Sequence, residues 1–364
     1  MKVMLVSPSM GAGGAERVLA LLASGLAERG HEVALVAPPG LHDADLAGVP
    51  HVRRHIAYQR RSLFGVVQVS AQLARAVRAL KPDLIHAQNA KMAAMTAIAA
   101  RVAAPFGRPP LLATFHGVVP EEYPRAARLL GLADHVVCVS NDLRQHMLAA
   151  GLPQARASVI HNAVRPPEPL SPQRRSALDG ELGLDGAPVA AIVARIVPQK
   201  AHLRFVHAAQ VAAERVPGAR FLVVGDGPLR PQVEAAVRVA GLADRVVFAG
   251  ERSDAPQLIA RADVLVFSSD WEGLSIAALE AMAAGTPVLS TDVHGMRELL
   301  ASGAGEVVHL DDGELLGAKL AELLLDPARG KLMGSAGVSL IESEFSAAGM
   351  IDAYERRYLS LSGR

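Results

Sequence analysis

Short, nearly uninterrupted apolar runs alternate along this chain with longer segments whose apolar residues recur at helical spacing. Parallel strands that are covered on both faces have this near-continuous apolar character, and helices usually connect them. The first half contains six predicted strands: Lys2–Ser7, Glu32–Ala37, Asp83–His86, Leu111–Phe115, His135–Ser140 and Ser158–His161. Three helices are predicted between them: Ala15–Ala27, Gln68–Leu80 and Asp142–Ala150. This order predicts an α/β lobe built on a parallel sheet.

The pattern is interrupted at residues 165–187, where Pro166, Pro167 and Pro169 favour an extended chain. A short helix is expected within this stretch, from Arg174 to Leu184. We therefore place a domain boundary here, between residues 1–165 and 166–345.

A second series of strands follows the interruption: Val189–Arg195, Arg220–Val224, Val246–Ala249, Val264–Ser268, Pro287–Ser290 and Glu306–His309. The final segment, Ala347–Leu361, is amphipathic and predicts a C-terminal helix within residues 346–364. One face of that helix carries Met350, Ile351, Tyr354 and Tyr358. The predicted fold class is thus α/β, with two Rossmann-like lobes whose parallel sheets face a central cleft. Ligands of such sheets bind beyond the carboxyl ends of the strands.

Composition narrows the range of functions. The chain has 364 residues and a formal net charge of +1, which argues against a nucleic-acid partner. A single cysteine, Cys138, excludes a disulfide framework, so we expect a reducing, cytoplasmic setting. The start of the sequence does not have the pattern of a signal peptide, and no run is apolar enough to span a membrane. Residues 1–165 hold 18 Lys and Arg against 10 Asp and Glu, whereas the rest holds 19 against 26.

The strongest chemical signal follows the predicted strand at Val264–Ser268. Glu272 and Gly273 precede Leu274 and Ser275, and Ser275 is a plausible N-cap for a helix that carries Glu280. The start of a helix offers backbone N–H groups and a positive dipole end, which suit a phosphate. A carboxylate in an otherwise apolar helix is costly unless it is hydrogen-bonded, and ligand hydroxyls would satisfy it. A glutamate that pairs with a buried cation or reaches to solvent is the alternative interpretation.

Two other loops carry weaker signals. Arg195 and Lys200 lie at the carboxyl end of the strand Val189–Arg195, and two cations there suit a diphosphate, although an ordinary solvated loop also contains such residues. Gly225 and Gly227 flank an aspartate after the next strand, where a helix starting at Pro228 would allow close backbone approach.

In the first lobe, the segment Gly11-Ala12-Gly13-Gly14 follows the first strand and would admit a phosphate or sugar close to the backbone. It is not a dinucleotide fingerprint, because Glu16 replaces the third glycine. His116 ends another strand at the expected cleft edge, although a lone histidine is more often structural. Asp43 and Asp45 have the spacing of metal-dependent sugar transferases, but they lie in a loop-like stretch and are interpreted as surface residues.

Together these segments resemble glycosyltransferase family 4, whose members are retaining enzymes of the GT-B fold. The matches occur in family order over nearly the whole chain: Gly13-Gly14-Ala15-Glu16-Arg17, Thr114-Phe115-His116-Gly117, Val139-Ser140, Ile160-His161-Asn162, Arg195 with Lys200, Gly225-Asp226-Gly227-Pro228, and Glu272 with Glu280. The two glutamates, eight residues apart with seven residues between them, are the specific part of this likeness when combined with the cation pair. Ala201 departs from it, since family members often have glycine there, and so does His294.

The resemblance implies roles for these residues. Glu280 would bind the donor ribose and Glu272 the hydroxyls of the transferred sugar. Arg195 and Lys200 would hold the diphosphate, helped by backbone N–H groups near Leu274 and Ser275. His116 would contact the sugar across the cleft. Further donor contacts would come from glycines of three loops: Gly13 and Gly14, Gly225 and Gly227, and Gly273.

The implied reaction is transfer of a hexose or related sugar from a nucleoside-diphosphate sugar, with retention at the anomeric carbon and without a metal or other cofactor. The expected acceptor is a glycan or a lipid-linked molecule, and the basic first half suits peripheral contact with the inner membrane face. The final helix would cross back to the first lobe. Two alternatives remain: another GT-B enzyme, inverting or an epimerase, and a two-lobed binding protein without catalysis.

Overall fold

The computed structural model describes residues 1–11, 13–56 and 63–363, so Ala12 of the glycine-rich segment lies outside the described residues. The chain divides into two compact units. The first comprises Met1–Ala163 together with Ala347–Arg364, and the second comprises Val164–Ser346. These divisions fall within two residues of the limits expected from the sequence.

The first unit alternates strands and helices from its first residues. Its elements are β1 Lys2–Val6, α1 Gly14–Glu28, β2 Glu32–Val36, β3 His51–Arg54, α2 Leu63–Leu80, β4 Leu84–Gln88, α3 Ala90–Ala103, β5 Leu111–Phe115, α4 Tyr123–Leu130, β6 His135–Cys138, α5 Asn141–Ala149 and β7 Ala157–Val159.

The second unit repeats the alternation, and the chain then ends in a helix that belongs to the first unit. Its elements are α6 Pro172–Leu182, β8 Val189–Val193, α7 His202–Arg215, β9 Arg220–Val224, α8 Arg230–Val239, β10 Val246–Gly250, α9 Ala255–Arg261, β11 Val264–Phe267, α10 Ile276–Ala283, β12 Val288–Thr291, α11 His294–Leu300, β13 Gly305–Val308, α12 Gly313–Leu325 and α13 Pro327–Glu344. The last helix is α14, Ala347–Ser362.

Both sheets are parallel and doubly wound. The strand order is β3-β2-β1-β4-β5-β6-β7 in the first unit and β10-β9-β8-β11-β12-β13 in the second. In each sheet the order reverses beside the first strand, which places a topological switch point between β1 and β4 and another between β8 and β11. Crevices at such points, beyond the carboxyl ends of the strands, are where open α/β sheets bind ligands.

Burial explains the apolar runs of the sequence. Every residue of β4 and β5 is buried, because helices cover both faces of the sheet. The predicted apolar face of the last helix is confirmed, since Met350, Ile351, Tyr354 and Tyr358 are its buried residues. The two tyrosines bury their hydroxyls as well as their rings, and those hydroxyls find partners in the first unit's sheet.

Several predictions about single elements were wrong or incomplete. Strand β3, whose four residues include two arginines, and the alanine-rich helix α3 were not predicted from the sequence. Pro228 does not start a helix, and α8 begins two residues later, at Arg230. The expected helix in the linker is present two residues earlier than predicted, as α6, where Ser171 accepts a hydrogen bond from the Arg174 N–H and caps it.

Candidate functional site

Two loops of the second unit meet at its switch point. One follows β8 and ends in a short 3₁₀ turn, Pro198–Lys200; the other runs from Ser268 to Ser275 between β11 and α10. Since β8 and β11 are paired neighbours in the sheet, their following loops lie side by side. Residues of both loops are among the site residues predicted from the sequence, but the bonds between the loops were not predicted.

Backbone and side-chain hydrogen bonds join these two loops. The Asp270 N–H donates to the Gln199 carbonyl oxygen at 2.9 Å, and the Gln199 side-chain amide donates to the Trp271 carbonyl oxygen at 3.0 Å. The Ser268 hydroxyl donates to the Lys200 carbonyl oxygen at 2.9 Å. The loops are therefore fixed relative to each other before any ligand binds.

A lysine–glutamate pair lies within this frame. Lys200 Nζ is 2.6 Å from Glu272 Oε1, and the Ser269 hydroxyl donates to the same oxygen at 2.5 Å. Only 6% of the Glu272 side chain and 16% of the Lys200 side chain are exposed, so water screens the pair weakly. No group in the described part of the chain bonds to Glu272 Oε2. One carboxylate oxygen is held by the protein and the other is available.

Further contacts hold the loop that carries Glu272. Thr291, the last residue of β12, donates its hydroxyl to the Ser269 carbonyl oxygen at 2.7 Å. Arg204 of α7 donates to the Ser268 carbonyl oxygen and pairs with Asp270 at 3.0 Å. Nothing in the sequence pattern singles out Arg204 or Thr291. Ser268 and Ser269 were not predicted either, although polar residues directly after the apolar strand β11 are a signal that could have identified them.

Arg195 differs from Lys200 although both follow the same strand. Its side chain is exposed and makes no hydrogen bond or ion pair with the described residues. A cation without a protein partner keeps its donors for an anion. The structure therefore places one paired and one unpaired cation in the loop after β8.

The glycine loop after β9 packs against the loop after β8. A Cβ at Gly225, whose φ is +126°, would strike the Ala194 carbonyl oxygen, and one at Gly227 would strike the backbone of Ile196. The Ile196 N–H donates to the Asp226 carbonyl oxygen at 2.9 Å. Both glycines are thus required for close backbone approach between the two loops, which shapes the loop that carries Arg195.

Helix α10 begins as the sequence suggested, with one difference. Ser275 occupies the N-cap position, but its side chain makes no capping hydrogen bond. The N–H groups of a first helical turn have no partner within the helix, so an anion near Leu274 and Ser275 would find donors there. Glu280 is 9% exposed on this helix. Gly273 is approached so closely by Gly295 that a Cβ on Gly295 would strike its carbonyl oxygen.

The residues after Lys200 hold two unusual features. Ala201 is left-handed, with φ 44° and ψ 49°, where glycine has no steric cost. His202 is buried, and neither ring nitrogen has a hydrogen-bond partner among the described residues. Burial, together with the charge of Lys200, lowers the pKa of His202 to about 4, so its imidazole is neutral near pH 7.

The first unit holds the other predicted residues. Gly13 is the N-cap of α1 and Gly14 its first residue, so the glycine-rich segment leads directly into a helix N-terminus. His116 follows β5, and its Nε2 is 2.7 Å from Gln88 Oε1 at the end of β4. Burial lowers the pKa of His116 to about 4. Gln88 was not among the residues predicted from the sequence.

The two aspartates with metal-site spacing have local partners instead. Asp45 is 2.6 Å from His42 Nδ1, and Asp43 pairs with Arg53 at 2.9 Å. Both lie in a 3₁₀ segment after β2. Across residues 1–11, 13–56 and 63–363, no group of three or more His, Cys, Asp or Glu side chains is placed to hold a metal ion.

Solved structures with the same architecture define the class of fold. That of Anabaena Alr3699/HepE in complex with UDP-glucose superposes with a TM-score of 0.86 at 22% identity and covers 99% of this chain and 100% of that one. WaaG, a glycosyltransferase involved in lipopolysaccharide biosynthesis, gives a TM-score of 0.80 at 17% identity, with complete coverage of both chains. The predicted fold class, α/β with two Rossmann-like lobes of the GT-B type, is confirmed.

Sequence comparisons give the family. The model described as Glycosyltransferase Family 4 matches residues 12–167, and the model described as Glycosyl transferases group 1 matches residues 187–326. Alpha-maltose-1-phosphate synthase of Mycolicibacterium smegmatis is 30% identical over 348 residues, which cover 84% of this chain and 87% of that protein. The chain therefore belongs to the GT-B glycosyltransferases.

Coverage differs among the curated relatives. 2-Deoxystreptamine glucosyltransferase of Streptomyces kanamyceticus is 35% identical over 227 residues, so this chain spans 56% of the length of that relative.

Within the described residues, no helix combines the length and the apolar character needed to cross a bilayer.

Proposed function

We propose that this protein transfers a sugar from a nucleoside-diphosphate sugar to a glycan or lipid-linked acceptor, with retention at the anomeric carbon. The observation that carries the proposal is the geometry of Glu272. Its Oε1 is held by Lys200 and Ser269, and no residue that the structure describes bonds to its Oε2. A carboxylate oxygen presented in this way accepts a hydrogen bond from a sugar hydroxyl.

The cations supply the other half of a donor site. Arg195 is exposed and has no side-chain partner among the described residues, and Lys200 has two further ammonium hydrogens beyond the one directed at Glu272. Both would bind the diphosphate and stabilise the charge that develops on the leaving nucleotide. The backbone N–H groups at the start of α10 would share that charge, and Glu280 would bind the ribose. The known complex of Anabaena Alr3699/HepE with UDP-glucose supports a nucleotide-sugar donor.

The chemical step would break the bond between the anomeric carbon and the diphosphate oxygen and form a bond from that carbon to an acceptor hydroxyl oxygen. The acceptor's proton would pass to the leaving phosphate oxygen on the same face of the sugar. Retention follows from this same-face geometry, and the family resemblance supports it. His116 would contact the transferred sugar, while Gly13 and Gly14 would border the diphosphate and the acceptor.

A panel of nucleotide sugars tests the donor class by thermal shift. A ligand at 100 times its dissociation constant stabilises the folded state by about 2.7 kcal/mol, which is readily measured. The expected result is stabilisation by one or a few nucleoside-diphosphate sugars and less by the corresponding monophosphates. Equal melting temperatures with the whole panel would remove the basis for a nucleotide-sugar donor. The anomeric configuration of the product, read by NMR, then tests retention against inversion.

The proposed donor site uses protein cations to neutralise the diphosphate, so activity should survive EDTA. Turnover with the best donor is measured before and after chelation, and again with added magnesium or manganese. Complete loss with EDTA that either metal restores would contradict the assignment of Arg195 and Lys200 as the groups that replace a metal. A lipid-linked acceptor, bound with the help of the basic first half of the chain, would make turnover depend on anionic vesicles.

A further inference from the structure

Next to His116, the first unit contains a continuous set of buried polar side chains that have no role in the proposed reaction. His86 and Gln88 lie on β4, Thr114 on β5, and Tyr354 and Tyr358 on α14. All five side chains are buried, with His86 and Tyr358 fully inaccessible. Buried polar groups persist when they are hydrogen-bonded to one another, so the proton positions in this set are constrained.

The amide of Gln88 determines the direction of the bonds. Its Oε1 is 2.7 Å from His116 Nε2, and because a carbonyl oxygen only accepts, His116 Nε2 carries the hydrogen. Its Nε2 is 3.2 Å from His86 Nε2, and because an amide nitrogen only donates, His86 Nε2 carries the lone pair. One amide thus links the tautomers of two imidazoles.

The rest of the set agrees with that assignment. With Nε2 unprotonated, His86 has its hydrogen on Nδ1, which lies 2.7 Å from the Tyr358 hydroxyl oxygen and donates to it. The Thr114 hydroxyl, 2.7 Å from His86 Nε2, donates to the same lone pair and accepts from the Tyr354 hydroxyl at 2.9 Å. Every bond has one donor and one acceptor. Burial lowers the pKa of His86 to about 3, so both imidazoles are neutral near pH 7.

The consequence reaches His116 Nδ1. With the hydrogen fixed on Nε2, Nδ1 has a lone pair, and no described group bonds to it. We propose that Gln88 is a positioning residue, held through His86 by Tyr358 of the last helix, which fixes the tautomer of His116 so that Nδ1 accepts a hydroxyl of the transferred sugar. This rests on the proposed function, in which His116 contacts that sugar.

Removal of the Tyr358 hydroxyl makes a sharp test. In Tyr358→Phe the His86 Nδ1–H loses its acceptor, so His86 gains by moving the hydrogen to Nε2. The Gln88 amide must then turn its oxygen toward His86 and its nitrogen toward His116, which moves the His116 hydrogen from Nε2 to Nδ1. The substitution keeps the aromatic ring and its packing, which favours a folded protein.

Tyr354→Phe is the matched control. It removes a buried hydroxyl from the same helix, but the Thr114 hydroxyl still donates to His86 Nε2. The tautomer of His116 should not change. Gln88→Leu is a second variant, in which both imidazoles lose their common partner and His116 loses its preference for Nε2–H.

The measurement is the ¹⁵N spectrum of histidine-labelled protein, with the His116 signals assigned by comparison with His116→Gln. We expect Nε2–H at His116 in the wild type and in Tyr354→Phe, and a shift toward Nδ1–H in Tyr358→Phe. An unchanged tautomer in both Tyr358→Phe and Gln88→Leu would overturn the role of Gln88, whatever the protein's reaction.

Kinetics separate that outcome from failure of the proposed function. A misoriented contact to the reacting group should lower kcat about 10- to 100-fold in Tyr358→Phe and Gln88→Leu. The affinity for the free nucleoside diphosphate should stay at the wild-type value, because that ligand lacks the sugar. A shifted tautomer with wild-type kcat would overturn the sugar contact of His116, and with it the proposed role of Nδ1, while the link between the imidazoles would stand.

Discussion

The two units share the order of six strands, but the groups at the ends of their central strands are charged in the second unit and neutral in the first. In the second unit the loops after β8 and β11 carry full charges, an exposed Arg195 and the Lys200–Glu272 pair. In the first unit the ends of β4 and β5 carry neutral groups, in which Gln88 joins two imidazoles whose pKa values burial holds well below 6.5.

The difference shows what each arrangement is suited to do. Lys200 can stay paired with Glu272 and still donate to a phosphate, because its ammonium group has two further hydrogens, and Arg195 is exposed to an arriving anion. The groups of a buried neutral network do not exchange hydrogen-bond partners readily, because each donor or acceptor left without a partner costs about 1–3 kcal/mol. The second unit is therefore suited to capturing an anion, and the first to holding one side chain in one protonation state.

Lowering the pH should produce the largest difference between the two units, because it should destabilise the first unit more than the second. Burial lowers the pKa of three histidines of the first unit, His86 to about 3 and both His116 and His135 to about 4, but in the second unit of only His202 among the described residues. Below the unfolded value near 6.5, the unfolded chain binds protons that the folded chain does not, so stability falls as the pH drops toward 4. Each such histidine contributes a slope of up to about 1.4 kcal/mol per pH unit.

The chain provides a probe for each unit. Its one tryptophan, Trp271, lies in the second unit, and all its tyrosines lie in the first. Between pH 6.5 and 4 the tyrosine near-ultraviolet signal should change at a higher pH than tryptophan fluorescence. Coincident transitions would mean that the buried histidines do not distinguish the units.

The diphosphate cations should show the next largest effect. Lys200→Ala or Arg195→Ala should lower turnover by about 100-fold or more, because each removes a group that stabilises the leaving charge. Lys319→Ala is the matched control: it deletes another ion-paired lysine of the second unit, 2.8 Å from Glu322, and should leave turnover unchanged. Full turnover in both Lys200→Ala and Arg195→Ala would refute the assignment of these cations.

The two glutamates should separate nucleotide from sugar. Glu280→Gln should weaken binding of the free nucleoside diphosphate about 10- to 150-fold, since a charge-assisted hydrogen bond contributes about 1.5–3 kcal/mol. Glu272→Gln should bind the free nucleotide almost normally but fail in sugar transfer. Calorimetry with nucleotide and with nucleotide sugar measures both. Equal nucleotide affinities for the wild type and Glu280→Gln would favour a structural glutamate.

The smallest effect concerns Ala201. Its left-handed conformation disfavours a Cβ by about 1–2 kcal/mol, and the greater freedom of glycine in the unfolded chain offsets part of that. Ala201→Gly should therefore raise the free energy of unfolding by up to about 1 kcal/mol. Ala235→Gly is the control, because an exposed alanine within α8 should lose about 1 kcal/mol on the same change. Destabilisation by both substitutions would contradict the strain at Ala201.

The sequence by itself determined the layered fold and the location of the second unit's site. Apolar runs of β length, such as those of β8 and β11, become buried parallel strands because nothing else buries them on both faces. Lys200, Glu272 and Glu280 stood out because charged residues after apolar strands, or within an apolar helix, need a partner. The last helix was equally predictable from the sequence, since its four buried residues follow helical spacing.

Only the tertiary structure decided which polar groups meet. Lys200 and Glu272 are 72 residues apart, and His86 and Tyr358 are 272 residues apart, so no local pattern could pair them. Gln88 gave no signal because a glutamine at the end of a strand is ordinary until an imidazole is found on either side of it. Burial, which depends on the packed chain, is also what keeps those imidazoles neutral. Local spacing selects candidates, and long-range packing fixes their partners and protonation.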